Sequence, residues 1–333
     1  MFETTKTMVQ LLSTCLSLTL NPFLIIVILK KSPSTMGNYR YLMIYFSCSA
    51  MVFSLLDSLT QPYVHSIGKC FVVVVKIGFF GRQGTLILLC ALCACFGVTI
   101  TCFAIHFAYR FFALERMGRL RFFSGYNLIF SFMLPILVGV FWGTLVYIFL
   151  GPNYTTSMYI EESIYDHYQL RLEEFTYIAA LYFFKDNTPH FKHLTGSGIL
   201  VTIMLISFSI VIQYGVRSFI LIKKLLRNEG ESEFSRNLQK QLYKALVIQS
   251  LFPLFLMYLP IGFYMIFPIT GINIQEFSRF VTFIYALYPA VDLIPIIFIV
   301  DCYRSVILKP CYAFGNQNRV QDISYTTPDT IYS

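Results

Sequence analysis

Apolar residues in this chain gather into long runs separated by short polar stretches, and the run lengths decide the architecture. Seven runs are long enough to cross ~30 Å of hydrocarbon at ~1.5 Å per residue. They fall at about Met8 to Leu29, Tyr41 to Tyr63, Leu86 to Phe107, Tyr126 to Leu150, Gly196 to Ile222, Ala245 to Phe267 and Ser278 to Val300. One further run, Phe71 to Phe80, is too short to cross and holds Lys76, so it reads as a loop dipping into the membrane interface. Ahead of the sixth long run, Leu238, Leu242, Ala245 and Gln249 share one side at helical spacing while Lys240 and Lys244 share another. A cationic helix therefore runs straight into the bilayer there. Pro253 and Pro260 each remove a backbone donor from that span, which predicts kinks and a bending point. The pattern as a whole predicts an all-α membrane protein, a seven-transmembrane helix bundle over residues 1–310. A polar cytoplasmic tail, 311–333, is expected to be disordered.

Composition agrees: the 333 residues are 56% hydrophobic and 13% charged, with mean hydropathy +0.66, far more apolar than a soluble domain. The net charge of +8 could suggest nucleic acid in a soluble chain. Here the cations cluster in short loops, so they report orientation instead. Lys30, Lys31 and Arg40 follow the first run, Arg110, Arg116, Arg119 and Arg121 the third, and Lys223, Lys224, Lys240 and Lys244 lie between the fifth and sixth. With the tail, that side holds about twice the Lys and Arg of the other, where Lys6, Lys69 and Arg82 lie. The amino terminus is expected outside and the carboxyl terminus in the cytoplasm. On the outer side Asn153-Tyr154-Thr155 forms a sequon, making Asn153 the expected glycosylation site. The first run, full membrane length and without a cleavage site, is expected to stay as an anchor.

The outer loop from Gly151 to Thr195 carries Glu161, Glu162, Asp166, Glu173 and Glu174 around an apolar centre, Phe175 to Phe184. It has two readings, a lid folded over the bundle mouth or a solvated loop. Cys15, Cys48, Cys90, Cys93, Cys95 and Cys102 lie within apolar runs and read as packing residues. With no histidine or carboxylate at ligand spacing beside them, neither a metal nor a cofactor is expected. No catalytic constellation is visible, which points to a chain that signals or transports and not to an enzyme.

Depth along the spans sorts the charged and polar candidates. Arg110 lies roughly 36 Å below the outer start of its span, at the cytoplasmic boundary. Asp57 lies near the outer end of the second span, and Asp292 roughly 20 Å down the seventh. Asp57 is either the polar group of a ligand cavity or a carboxylate snorkelling to water or paired with Arg82. Asp57, Gln61, Cys93, Tyr258, Tyr264 and Phe283 have the depth expected of a ligand-binding lining. Pro253, Pro260, Tyr288, Pro289 and Asp292 are placed where a bending, hydrated switch would lie.

Four stretches, GNYRYLMIYFS (Gly37 to Ser47), AIHFAYRFFAL (Ala104 to Leu114), LQKQLYKALVIQSLFP (Leu238 to Pro253) and YPAVDLIPIIFIVDCYR (Tyr288 to Arg304), together resemble the nematode Str class of seven-transmembrane chemoreceptors. That class includes the diacetyl odorant receptor. The resemblance implies a multi-pass receptor in the plasma membrane of a sensory cilium, recognising a small-molecule odorant or other chemical cue and acting through a heterotrimeric G protein. Tyr109 and Arg110 occupy the place of the acid-arginine-aromatic triplet of the wider receptor superfamily, and Tyr288, Pro289 and Asp292 resemble its last-helix switch. Coupling to the G protein would then involve Tyr109, Arg110, Lys223, Lys224, Lys240 and Lys244. Ala108 stands where an acidic partner for the arginine would be, so any partner comes from elsewhere in the bundle or from the G protein. The large outer loop has no cysteine, so the superfamily's disulfide to helix three cannot form. The alternative is a ligand-gated cation channel, since some seven-span chemoreceptors elsewhere conduct ions; their opposite orientation sets them against the charge distribution.

Overall fold

A computed structural model describes residues 2–33, 36–115, 119–184, 186–225, 233–270, 277–291 and 294–305. The long apolar runs are helices: α1 (Phe2–Lys31), α2 (Tyr39–Thr60), α3 (Gly81–Glu115), α4 (Tyr126–Leu150) and α6 (Phe191–Leu225). The next run is α7 (Glu233–Pro253), continued through a π-helical segment (Leu254–Tyr258) into α8 (Leu259–Thr270). Among the described residues six helices are long and apolar enough to cross a membrane, the last of them taking in α7 and α8 together. The remaining run supplies α9 (Ser278–Val291) and α10 (Ile294–Ile299). The tail and Asp292 lie outside the described residues.

The fold is mostly but not wholly helical, which corrects the all-α expectation. Tyr63–Ile67 (β1), Cys70–Lys76 (β2) and Phe175–Leu181 (β3) form an antiparallel sheet in the order β1-β2-β3. The short run at Phe71 is the central strand, not an interfacial loop. Its four consecutive valines, Val72 to Val75, are β-branched and suit a pleated surface. Gly68, at φ +52, sits in the two-residue turn between Ile67 and Cys70, where a left-handed conformation keeps the strands in register.

Both faces of this sheet are covered, so no apolar-polar alternation marked it in the sequence. Val64, Phe71, Val75, Ile178 and Ala180 pack onto the helix bundle. Tyr63, Cys70, Val72, Val74, Tyr177 and Leu181 pack under Ile160 and Ile164 of α5 (Tyr154–Tyr168). Of the two readings of the loop after Gly151, the lid is the one the fold adopts. α5 is anchored by Asn153, whose side-chain oxygen accepts from the Thr156 amide at 2.9 Å and caps the helix.

Two features of the helices bear on function. α3 and α4 cross closely at Gly97, Gly139 and Gly143: a Cβ on Gly139 would come within 2.6 Å of Val98 and 3.0 Å of the Ala94 carbonyl. This is the small-residue contact that lets membrane helices approach. The span with Pro253 and Pro260 stays helical throughout, with a π segment between the two prolines.

Candidate functional site

At the sheet end of the bundle, a cavity of about 90 Å³ lies beneath the strands. Val64, Phe71, Val73 and Ile178 of the sheet cover it, and Phe53, Phe96, Trp142 and Tyr285 wall it with aromatic rings. Close crossing at Gly139 and Gly143 brings Trp142 to its wall. The lining is almost wholly apolar. Such a space favours a small neutral molecule, because a charge moved into it would lose its hydration without a partner.

Of the six residues expected to line a ligand cavity, Asp57 and Cys93 do so. The other four do not. Tyr258 reaches it at one remove, its ring 6.3 Å from Phe96, and Tyr264 likewise, 5.8 Å from Phe71. Gln61 instead ends α2 in a left-handed conformation, and Phe283 is half-buried on α9 without joining the lining. Sequence reasoning missed Trp142, Phe53, Phe96 and Ile178, which come from four elements. Depth along one helix carries no information on which face meets the others.

Asp57 is committed to the protein. Its carboxylate accepts from Gln10 Nε2 at 3.1 Å, and Lys6 is the cation that acts on it. Arg82 is not its partner, since that guanidinium donates to the Leu172 carbonyl at 2.6 Å. Lys6, counted in the sequence as an outer-side charge, is 0% exposed. Its ammonium donates to the Gln61 carbonyl at 2.6 Å and lies 3.4 Å from the centroid of the Tyr63 ring. Below it Gln10, Ser13, Ser17 and Asn21 continue a buried polar stripe along α1, and Ser54 of α2 donates to Ser17 at 2.7 Å. A signal was present: Lys6, Gln10, Ser13 and Ser17 fall at helical spacing inside an apolar run.

The far end is organised by Arg110, 1% exposed. Its Nη1 donates to Gln239 Oε1 of α7 at 2.9 Å, and its guanidinium lies 3.5 Å from the centroid of the Tyr39 ring. Tyr39 in turn packs on Tyr109 and His106, with ring centroids 5.4 Å apart in each case. Nε and Nη2 of Arg110 have no partner among the described residues. The expectation that a partner comes from elsewhere in the bundle is met by an amide and an aromatic face in place of an acid.

Around this cradle, α7 is also tied to the segment after α10. The Asp301 amide donates to Gln241 Oε1 at 3.1 Å, and Gln241 Nε2 donates back to the Asp301 carboxylate. Leu238, Leu242, Ala245 and Gln249 are all buried, as their spacing predicts, and Lys240 and Lys244 are exposed. Lys223 and Lys224 are exposed at the same end. Pro253 closes α7, Pro260 lies in α8, Tyr288 packs edge-on to Phe53 at 5.5 Å, and Pro289 belongs to α9. Asn153, the expected glycosylation site, is half-buried at the α5 cap.

Comparison with known proteins agrees with this geometry. A family profile described as serpentine type 7TM GPCR chemoreceptor Str matches residues 6–308. The G-protein coupled receptor str-217 of Caenorhabditis elegans is 31% identical, over 88% of this chain and 86% of that protein. Serpentine receptor class r-10 of Caenorhabditis briggsae is 27% identical, over 91% and 89%, and that of Caenorhabditis elegans 28% identical, over 90% and 88%. With membrane-length helices, a buried apolar cavity at one end and a cradled arginine at the other, the chain belongs to the Str family of serpentine seven-transmembrane G-protein-coupled chemoreceptors.

Proposed function

We propose that this receptor detects a small neutral odorant-sized molecule in the cavity beneath the sheet and passes the signal to a heterotrimeric G protein at the far end. The sheet end faces outward and the far end the cytoplasm, with α9 and α10 supplying the seventh crossing and the plasma membrane of a sensory cilium as the setting. The exposed Lys30, Lys31, Lys223, Lys224, Lys240 and Lys244 at the far end support that orientation. A channel is not favoured, because the chain's relatives are receptors by name and its cations sit on the side opposite to the one a channel of that kind requires.

The observation that carries this reading is a continuous path between the two sites. Phe96 of α3 lines the cavity, and the ring of Tyr258 in the π segment touches it. Directly below the π segment runs α7, which carries Gln239 to Arg110. A π segment between two prolines is the place where this span rewinds at least cost. An occupant that moves Phe96 would bias the winding at Tyr258, rotate α7 and withdraw Gln239, releasing the guanidinium for a docking partner. The ligand need only favour one member of an existing equilibrium.

The test is a chemical panel applied to the receptor in heterologous cells, with and without a G-protein α subunit, read as second messenger and as membrane current. Saturable output that needs the subunit is the expected result. Ligand-evoked current that persists without any G protein would replace this reading with the channel. Cys93→Phe, which fills the cavity, is expected to raise the half-maximal concentration by about tenfold or more at unchanged surface level.

A further inference from the structure

A second pocket, of about 350 Å³, lies at the sheet end of the bundle, where α3 and α6 begin and α4 ends. It shares no lining residue with the ligand cavity. Arg82, in the first turn of α3, and Lys192, in the first turn of α6, line it, and both are exposed. Nη2 of Arg82 donates to the Leu172 carbonyl at 2.6 Å, which leaves the other donors of the fork for an outside group. No carboxylate pairs with either cation: the ion pairs among the described residues are Glu3 with Lys76 and Asp301 with Arg304. Glu174, just ahead of β3, accepts from the Arg171 amide at 2.8 Å. The positive ends of the α3 and α6 dipoles meet the negative end of α4 here, so the helix ends leave a positive balance that the two side chains reinforce.

Thr176 of β3 lines the same pocket and is 0% exposed. It alternates with Ile178 and Ala180, and so lies on the face of the strand turned to the bundle. Its Oγ1 has no hydrogen-bond partner among the described residues. A buried hydroxyl left unpaired costs stability, and valine would fill the same space without that cost. Gln83, the other polar side chain at the start of α3, is engaged, its Nε2 donating to Tyr147 Oη at 2.8 Å. Two cations and an orphaned hydroxyl on three different elements, without an acidic partner, are the equipment of an anion site.

We propose that this pocket binds the phosphate of a phospholipid headgroup at the sheet-end rim of the bundle. Ile148 lines the pocket and tops a stripe on α4, Leu137, Phe141, Thr144 and Ile148, that is exposed at helical spacing. On a helix that crosses the membrane such a face meets hydrocarbon, so acyl chains lying along it bring their headgroup to the pocket. Tyr147, beside Ile148, is exposed at the same level, as aromatic residues are at the membrane interface. The Arg82 fork takes two phosphate oxygens, Lys192 pairs with the same anion as a point charge, and Thr176 donates its hydroxyl. Inorganic phosphate offers the same oxygens without the chains, and the experiment separates the two sources.

The experiment is native mass spectrometry of the full-length receptor in a neutral detergent with three probes. These are dioleoyl phosphatidylglycerol, dioleoylglycerol, which has the same chains and no phosphate, and inorganic phosphate alone. The wild type is expected to keep phosphatidylglycerol at an activation that strips dioleoylglycerol, and to keep no inorganic phosphate. Arg82→Gln and Lys192→Gln should each lower the retained fraction by about tenfold, the loss expected for a charge-assisted hydrogen bond. Thr176→Val should lower it about as much without lowering the melting temperature of the lipid-free receptor, because the hydroxyl has no partner to lose. Lys223→Gln with Lys224→Gln, at the far end, should keep full retention. Equal retention of the two lipids would overturn the proposal, as would retention that survives Thr176→Val or that the change at Lys223 and Lys224 abolishes. Inorganic phosphate held by the wild type and lost in Thr176→Val would overturn the lipid source in favour of a free anion. If Arg82→Gln, which also loses its bond to Leu172, does not fold, Thr176→Val decides the matter alone.

Discussion

Arg110 is held by an amide oxygen and an aromatic face, neither of which carries a charge, so it can be released without separating an ion pair. A hydrogen bond from a charged donor contributes about 1.5–3 kcal/mol. Gln239→Ala is therefore expected to raise basal second-messenger output by about tenfold or more at equal surface level. Arg110→Ala should abolish output without lowering surface level, and Arg110→Lys should restore it partly, because the planar fork is lost. Cell-surface labelling and second-messenger output measured on the same cells check both. The position of Arg110 was legible from its depth. Gln239 was not, since one glutamine in a cationic amphipathic helix has no distinguishing mark until its face meets α3. The Asp57 and Lys6 pair behaves differently. Asp57→Asn removes one of the two carboxylates that act on the buried Lys6, the other being Glu3, and should lower the thermal stability of the purified receptor. The double change Lys6→Met, Asp57→Leu should recover most of that loss, read as a melting temperature.

Between elements, closeness is set by what is absent. Gly139→Ala puts a methyl 2.6 Å from Val98 and 3.0 Å from a carbonyl of the facing helix, so α3 and α4 must move apart. The expected cost is about 1–3 kcal/mol, visible as a lower melting temperature. Displacement of Trp142 from the cavity wall should accompany it, visible as a change in the fluorescence of this single tryptophan. Gly198→Ala, where an added Cβ meets nothing within 4 Å, serves as the neutral control. The helices themselves were readable because length and apolarity suffice for a span. The sheet was not, because strands buried on both faces read as short apolar runs, and one of its partners comes from more than a hundred residues along the chain. Pairing of β2 with β3 ties the segment ahead of α3 to the segment after α4, and the eight cysteines described are all free.

At the scale of the whole molecule, the asymmetry of exposed cations makes a topological prediction. A tag ahead of α1 should be accessible on intact cells and one after Ser333 only after permeabilisation, as antibody labelling would show. The reverse labelling would overturn the proposed orientation and with it the assignment of the sheet as the ligand side. If Asn153 carries a glycan, glycosidase treatment should shift the wild-type protein and not Asn153→Gln. An unshifted wild type would leave Asn153 as the cap of α5 alone. Sequence by itself determined the membrane class, the placing of the long helices and the buried face of α7, because each depends on local spacing and apolar content, while the family was carried by the four stretches that resemble it. Tertiary structure alone decided which side chains meet. It drew the cavity wall from helices and strands far apart in sequence, gave Asp57 on that wall Gln10 and Lys6 as neighbours, and supplied Arg110 with Gln239. The physical reason is that burial and pairing are properties of faces brought together by packing, and a linear pattern shows which faces are apolar without showing what they will touch.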